Sequence, residues 1–477
     1  MSIAALTPRV IAAARPQRLG RVSRLVGLRV EVEGVDAAVG EAVRIYPAAG
    51  DPIEGEVVSV GGRSVACMPY GDLVGVRFGT AVEALGHPAR ISVGNGLMGR
   101  VLDGLGRPLD GRPLPAGLEE VGLDGDAPHP LDRQLIDRQL PLGVRSIDTL
   151  IPCGRGQRLG IFAGSGVGKS TLLSMIARGT EATVSVLALV GERGREVNEF
   201  LTHDLGEEGL ARSVVVVATS DEPALVRIRA AFTATRIAEW FRDQGHDVVL
   251  MMDSLTRFAM AQREVGLSAG EPPATRGYPP SVFSLLARLL ERAGCNGTGS
   301  ITGLYTVLVE ADDMNEPIAD AARSLLDGHV VLSRRLATSG HYPSIDVLES
   351  VSRLESAIVG REHRKAAVEL RQMLAAYRDA KDLVEIGAYV RGTNPVVDRA
   401  LVLKEFMDAF LRQDMHEPAP AGESWSSLMG LINSDVSSLI GDPSLARSRD
   451  GDVRNNAPLG GSVLDPAMAT VGVGGSD

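Results

Sequence analysis

"IFAGSGVGKST", residues Ile161 to Thr171, decides how the rest of this chain is read. It departs at one position from the pattern G-x-x-x-x-G-K-[ST], because Ala163 stands where the first glycine belongs. The apolar run "RLGIFAG" before it predicts a buried strand, and "STLLSMIARG" after it predicts a helix starting at the loop. A strand-loop-helix setting is what a phosphate-binding loop requires. Gly164, Gly166 and Gly168, with Ser165 and Val167 between them, let backbone N–H groups turn toward phosphate oxygens, and the helix N-terminus adds its positive end. Lys169 is the candidate partner of the outer phosphates and the Ser170 hydroxyl the candidate ligand of Mg2+, with Thr171 completing the set. Ala163 precedes the tight turn, where one methyl group is a small perturbation.

Two further carboxylates stand at strand ends. "DVVLMMDS" is an apolar run closing on Asp253, 84 positions beyond Lys169. A carboxylate at the carboxyl end of a buried strand beside the loop can hold the water shell of Mg2+. "ALVGERGREVNEF" ends another apolar run at Gly191 and sets Glu192 and Arg193 directly after it. Such a glutamate can orient and deprotonate an attacking water, although a surface acid in a charged loop fits the local pattern equally well.

Outward from these motifs, short continuous apolar runs alternate with helical periods over residues 143–340. That texture predicts parallel strands covered on both faces, hence an α/β P-loop core. Residues 21–92 carry valine-rich runs between Gly and Pro turns, the pattern of a small antiparallel β-barrel. Residues 93–142, dense in turn formers, read as a linker. In residues 341–432 the stretch from Gly360 places Ala367, Leu370, Leu374, Tyr377, Ala380 and Val384 on one helical face, predicting a helical C-terminal domain. Residues 433–477, rich in Gly, Ser, Pro and Asp, predict a disordered tail, and residues 1–20 form a separate N-terminal segment.

Composition narrows the function classes. The 477 residues are 44% hydrophobic and carry 60 acids against 49 bases, a formal net charge of -11. An acidic chain with only 4% aromatics lacks the basic, aromatic surface that stacks nucleic acid, so no nucleic-acid partner is expected. Cys67, Cys153 and Cys295 are widely spaced and odd in number, which suits thiols in a reducing compartment. No apolar run approaches the ~20 residues that span a bilayer, and a cytoplasmic location is expected.

Several motifs in order carry a family resemblance: "FAGSGVGKST", "GERGRE", "MMDSLTRFAMAQRE", "GEPPATRGYPPSVFSLLARLLERAG", "ADDMNEPIADAARSLLDGHVVLSRRLA" and "GHYPSIDVLESVSRLESAIVGREHR". Together they resemble the catalytic subunit of rotary ATP synthases and, more closely, the homohexameric export ATPases of the bacterial flagellum and of type III secretion systems. The resemblance runs from about Arg18 to Ile432. It implies ATP and Mg2+ as cofactors, Glu192 as general base, Lys169 and Ser170 at the phosphates and metal, and Asp253 as the metal-side carboxylate. It also implies two roles that spacing does not reveal. Arg353 in "ESVSRLES" matches the arginine finger that reaches a neighbouring subunit's site, and Tyr342 in "GHYP" matches the aromatic packed on adenine. Arg193 and Arg257 match positions lining the same site.

The implied partners are five further copies of the chain, proteins of an export apparatus, export substrates and their chaperones, and a stator-like regulatory subunit, at the cytoplasmic face of the inner membrane. Pro8 and Pro16 interrupt the N-terminal helix that binds such a subunit in the family, at a cost of about 3 kcal/mol for a proline inside a helix. A flagellar role is the expectation, with a virulence secretion ATPase, a rotary ATP synthase subunit and a hexameric nucleic-acid translocase as successively weaker alternatives.

Overall fold

Valine at every second position closes the first domain. In the computed structural model, which describes residues 19–309 and 313–434, six strands form a closed antiparallel barrel: β1 (Leu19–Val26), β2 (Arg29–Glu33), β3 (Glu41–Tyr46), β4 (Ile53–Gly61), β5 (Ser64–Pro69) and β6 (Ala81–Pro88). Their order is β1-β2-β5-β4-β3-β6, with β1 also paired to β6. Alternation puts Val30, Val32, Val43, Ile45, Val57, Val65 and Val82 inside as the barrel core. Tyr70, just beyond β5, donates its hydroxyl to Glu56 at 3.0 Å, and Glu56 pairs with Arg229 of the next domain.

Residues 93–142 are not a linker. They hold β8 (Arg100–Asp103), which pairs in parallel with the edge of the central sheet, and β9 (Glu119–Gly122), which pairs with β7 (Arg90–Val93). Only Val101 and Leu102 in β8 are apolar, too short a run to stand out among turn residues. Polar contacts fix it instead. Arg100 grips Asp110 through Nε and Nη2 at 2.6 and 2.9 Å, and Asp103 Oδ1 accepts from the N–H groups of Leu105 and Arg107.

The central sheet adds β10 (Arg158–Ala163), β11 (Val184–Glu192), β12 (Ser213–Thr219), β13 (Asp247–Asp253), β14 (Gly294–Cys295), β15 (Ser300–Leu308), β16 (Gly328–Leu332) and β17 (Val351–Ser352). Its order is β17-β16-β10-β15-β13-β11-β12-β8, with β14 paired beside β15. β10, β11, β12 and β13 are short continuous apolar runs of the kind expected over residues 143–340, buried on both faces between helices. β17 runs antiparallel to β16, so the sheet extends past residue 340, and the first residues of the expected helical domain belong to its edge. A two-residue strand leaves no periodicity to read.

After the single-turn helix Glu355–Ile358 come three longer ones, Arg361–Glu385, Pro395–Leu411 and Ala421–Ile432. In the first, Ala366, Ala367, Leu370, Met373 and Ala380 are buried, while Leu374, Tyr377 and Val384 are only half-buried. The apolar stripe is therefore rotated by about one residue from the expected face. Asn394 caps the second helix by accepting from Val396 and Val397, with Pro395 at its first position. No helix among the described residues is long and apolar enough to cross a membrane. The tail from residue 435 and the segment 1–18 lie outside the described residues.

Candidate active site

Because β8, β10, β11, β12, β13, β15 and β16 run parallel, their carboxyl ends share one rim, where α/β folds place ligands. Ala163 sits at the end of β10, paired with Leu308 and Leu332, in a conformation that needs no glycine. Beyond it the loop turns through Gly166 at φ 74° and Gly168 at φ 91°, where a side chain would be strained. Gly164 and Val167 are buried, and Ser165, Gly166 and Ser170 are exposed. The helix Lys169–Gly179 begins immediately after, with Thr171 half-buried in its first turn.

Lys169 joins the strand ends. Its Nζ lies 2.5 Å from Asp253 Oδ1 and 3.5 Å from Glu192 Oε1. β15 separates β10 from β13, and its Thr306 donates to Asp253 Oδ1 at 2.7 Å, which fixes the carboxylate's orientation. Burial pushes the Lys169 ammonium toward losing its proton, but the charges of Asp253 and Glu192 outweigh it, so the ammonium is held more firmly than usual. Burial raises the Glu192 carboxyl above the ordinary range. Asp253 adds to the rise, and Lys169 and Arg257 oppose it without cancelling it.

Gly191, at φ 74°, lets the stem of Arg257 pass close to Glu192. A side-chain carbon at that position would meet Arg257 Cβ at 3.0 Å. Tyr342, 48% exposed, stands over the loop, with its ring 3.6 Å from where a Gly168 side chain would begin. Ser344 Oγ donates to Val167 O at 2.6 Å and ties this aromatic segment to the loop. The backbone N–H of Gln413 donates to Tyr342 O at 3.0 Å, and Gln413 Nε2 donates to Gly143 O at 2.9 Å, linking the aromatic segment to the start of the nucleotide domain.

Two expected site residues are elsewhere. Arg193 is 77% exposed at its side chain and pairs with Glu196 at 3.2 Å, because the helix Gly194–Glu199 starts there and carries it outward. Arg353 follows β17, whose Ser352 pairs with Gly328 at the amino end of β16, level with the start of β10. The phosphate loop lies at the other end of β10, about 16 Å away at ~3.3 Å per residue. Arg353 is exposed and donates to Arg323 O at 3.2 Å. Sequence reading missed Thr306 and Ser344. Thr306 had a faint signal as a polar residue inside the apolar run "SITGLYTVL", whereas nothing marked Ser344.

Comparison with known proteins agrees with this geometry. Residues 143–352 match the nucleotide-binding domain of the ATP synthase alpha/beta family, and residues 359–430 match the EscN ATPase C-terminal domain of type III secretion systems. The chain is 52% identical over 421 residues to the flagellum-specific ATP synthase of Bacillus subtilis, covering 88% of this chain and 96% of that protein. The chain belongs to the family of flagellar and type III secretion ATPases. Within that family it is also 48% identical to the type 3 secretion system ATPase of Xanthomonas euvesicatoria, covering 88% of this chain and 94% of the relative. The assembled ATPase EscN from enteropathogenic E. coli superposes with a TM-score of 0.82 at 45% identity, over 87% of this chain and all of that one. Barrel, nucleotide core and helical domain are thus the three parts of an export ATPase subunit.

Proposed function

We propose that the chain hydrolyses ATP within a homohexameric ring and that this energises export of flagellar proteins through a type III export apparatus. The observation that carries the proposal is a divided site. Lys169, Asp253 and Glu192 meet at one rim of the sheet, while Arg353 is presented at the opposite end, where only another molecule can use it.

Backbone N–H groups from Gly164 to Gly168 cradle the phosphates, with Thr171 in the first helical turn behind them, and Tyr342 packs on the adenine. Phosphate oxygens compete with the two carboxylates for Lys169. A lysine drawn to the phosphates leaves Glu192, already raised by burial, free to take a proton from the attacking water. Ser170, exposed at the helix start, and Asp253 fit Mg2+, which binds through one or two protein oxygens and takes the rest from phosphate and water. When bound there, the ion supplies neutralisation of phosphate charge. Arg353 of an adjacent copy completes that neutralisation at the transferring phosphoryl group.

Flagellum-specific relatives range from 48% to 52% identity and secretion relatives stand at 48%, a small difference on the side of the flagellum. EscN has been solved with its central stalk EscO, which supports docking of a stalk-like subunit on this chain too. A stator-like regulatory subunit, export substrates and chaperones are the further partners that the export role calls for. The work would take place in the cytoplasm, at the inner face of the inner membrane. Deleting the gene should abolish swimming and leave filament subunits inside the cell. Normal motility with loss of an injected effector would instead assign the chain to a virulence secretion system.

A further inference from the structure

The finger residue has a built support. Arg353 rests on the segment 323–327 twice: its backbone N–H donates to Asp327 O at 3.0 Å and its guanidinium donates to Arg323 O at 3.2 Å. Asp327 is itself clamped to the first residue of β10. Its carboxylate accepts from Arg158 at the backbone N–H (3.0 Å), Nε (3.1 Å) and Nη2 (3.2 Å), and its own N–H donates to Arg158 O at 2.8 Å. Beside it, the fully buried Gln157 donates Nε2 to both Asp327 O and Ser352 Oγ, and Ser352 Oγ donates to Pro152 O at 2.6 Å. Arg158 is braced on its far side by Glu291 at 2.5 Å. An exposed arginine with one contact to a carbonyl would otherwise sample many rotamers. Here its backbone N–H is held by Asp327 O, the preceding Ser352 is held through its hydroxyl by Gln157 and Pro152, and charge-assisted bonds hold Asp327 in turn.

We propose that Asp327, itself held in place by Arg158, is a positioning residue for Arg353, setting where the finger enters the neighbouring subunit's site. The inference rests on the shared-site reading above and names the group that makes the shared geometry reproducible. It also places the finger's support and the phosphate loop at the two ends of one strand, β10. A displacement of that strand by phosphate binding in one subunit therefore reaches the finger that the same subunit lends.

The test uses whole rings. Asp327→Ala should lower kcat by about 10- to 100-fold, the loss that a misplacement of ~1 Å produces, while KM and the affinity for a fluorescent ATP analogue stay within about twofold. Asp327→Asn keeps one oxygen for the Arg158 N–H and should fall between wild type and alanine. Because the defect lies in what a subunit gives, Asp327→Ala subunits keep an intact phosphate loop and Glu192. Mixed with Glu192→Gln subunits, which retain a sound finger, they should form rings that hydrolyse faster than either parent ring. A general folding defect would not be repaired by such a partner. Near-wild-type kcat in Asp327→Ala overturns the proposal. So does absence of any gain in its mixture when a parallel mixture of Arg353→Ala with Glu192→Gln does gain. If that parallel mixture also fails, the shared-site reading itself falls.

Discussion

Lys169 faces two carboxylates in different surroundings, and the difference supports the roles proposed for them. Asp253 is buried and receives both Lys169 and the Thr306 hydroxyl, so its position is fixed. Glu192 is the more distant partner, at 3.5 Å, and its proton affinity is raised by burial, as suits a group that must accept a proton near neutral pH. Glu192→Gln should bind ATP normally and lose ~10²- to 10⁴-fold in turnover, the usual worth of general base catalysis; steady-state phosphate release checks it. The base must be ionised, so kcat/KM falls as pH drops through the Glu192 pKa. The acid limb should accordingly lie above the ~4.3 of an exposed glutamate and be absent from the residual activity of Glu192→Gln. An acid limb that persists unchanged in that variant would assign it to another group. Tyr342→Ser should raise KM for ATP by about 10- to 100-fold, from the ~1–3 kcal/mol of base stacking, and leave kcat nearly intact. Of these residues, Glu192 and Asp253 were legible because each stands where an apolar run stops, and Lys169 because it closes the glycine loop that follows one. Tyr342 was legible only through its family motif, and Ser344 not at all, since its role depends on a chain segment 177 residues from its partner Val167.

β10 does more than deliver the loop. Its first residue, Arg158, holds Asp327, and its last, Ala163, opens the phosphate turn, so one six-residue strand links the two halves of the proposed shared site. Strands of this kind were readable because burial on both faces leaves an unbroken apolar run. The edges were not: β8 and β17 are four and two residues long, and where they pair with β12 and β16 they are braced by polar contacts such as Arg100 with Asp110 and Gln157 with Ser352. Another contact of this sort locks a helix. Arg292, at the end of the helix Pro280–Glu291, makes a bidentate pair with Glu239 of the helix Ala224–Asp243 at 2.6 and 2.7 Å, both side chains being nearly fully buried, and donates to Leu123 O. Removing one partner strands a buried charge. Glu239→Ala should therefore destabilise the protein by about 3–5 kcal/mol, read as a lower midpoint in denaturant unfolding followed by tryptophan fluorescence. A loss below ~1 kcal/mol would mean that the guanidinium finds water or another acceptor there.

On the proposed reading, a subunit that holds a phosphate loop at one end of its sheet and a supported arginine at the other would be half of an enzyme twice over. Self-association should then control the rate: activity per subunit should rise with protein concentration by mass action as rings form. Leu131 and Leu135, 88% and 90% exposed, lie in the segment whose Arg133 donates to Ala293 O and pairs with Glu291, the residue that also braces Arg158. Leu135→Asp should lower assembly and turnover together while leaving ATP binding to the subunit unchanged, which sedimentation and analogue titration can separate. The topology that puts Arg353 opposite the loop could not be read from sequence, since it follows from an antiparallel edge strand of two residues. The most direct measurement is ATP turnover by rings assembled from Arg353→Ala and Glu192→Gln subunits mixed in equal amounts. Each parent should be nearly inactive, an arginine finger being worth ~10³ to 10⁵ in rate, and the mixture should regain turnover far above the sum of the two. A mixture no faster than its parents, with ring formation verified, would contradict a site shared between neighbouring subunits.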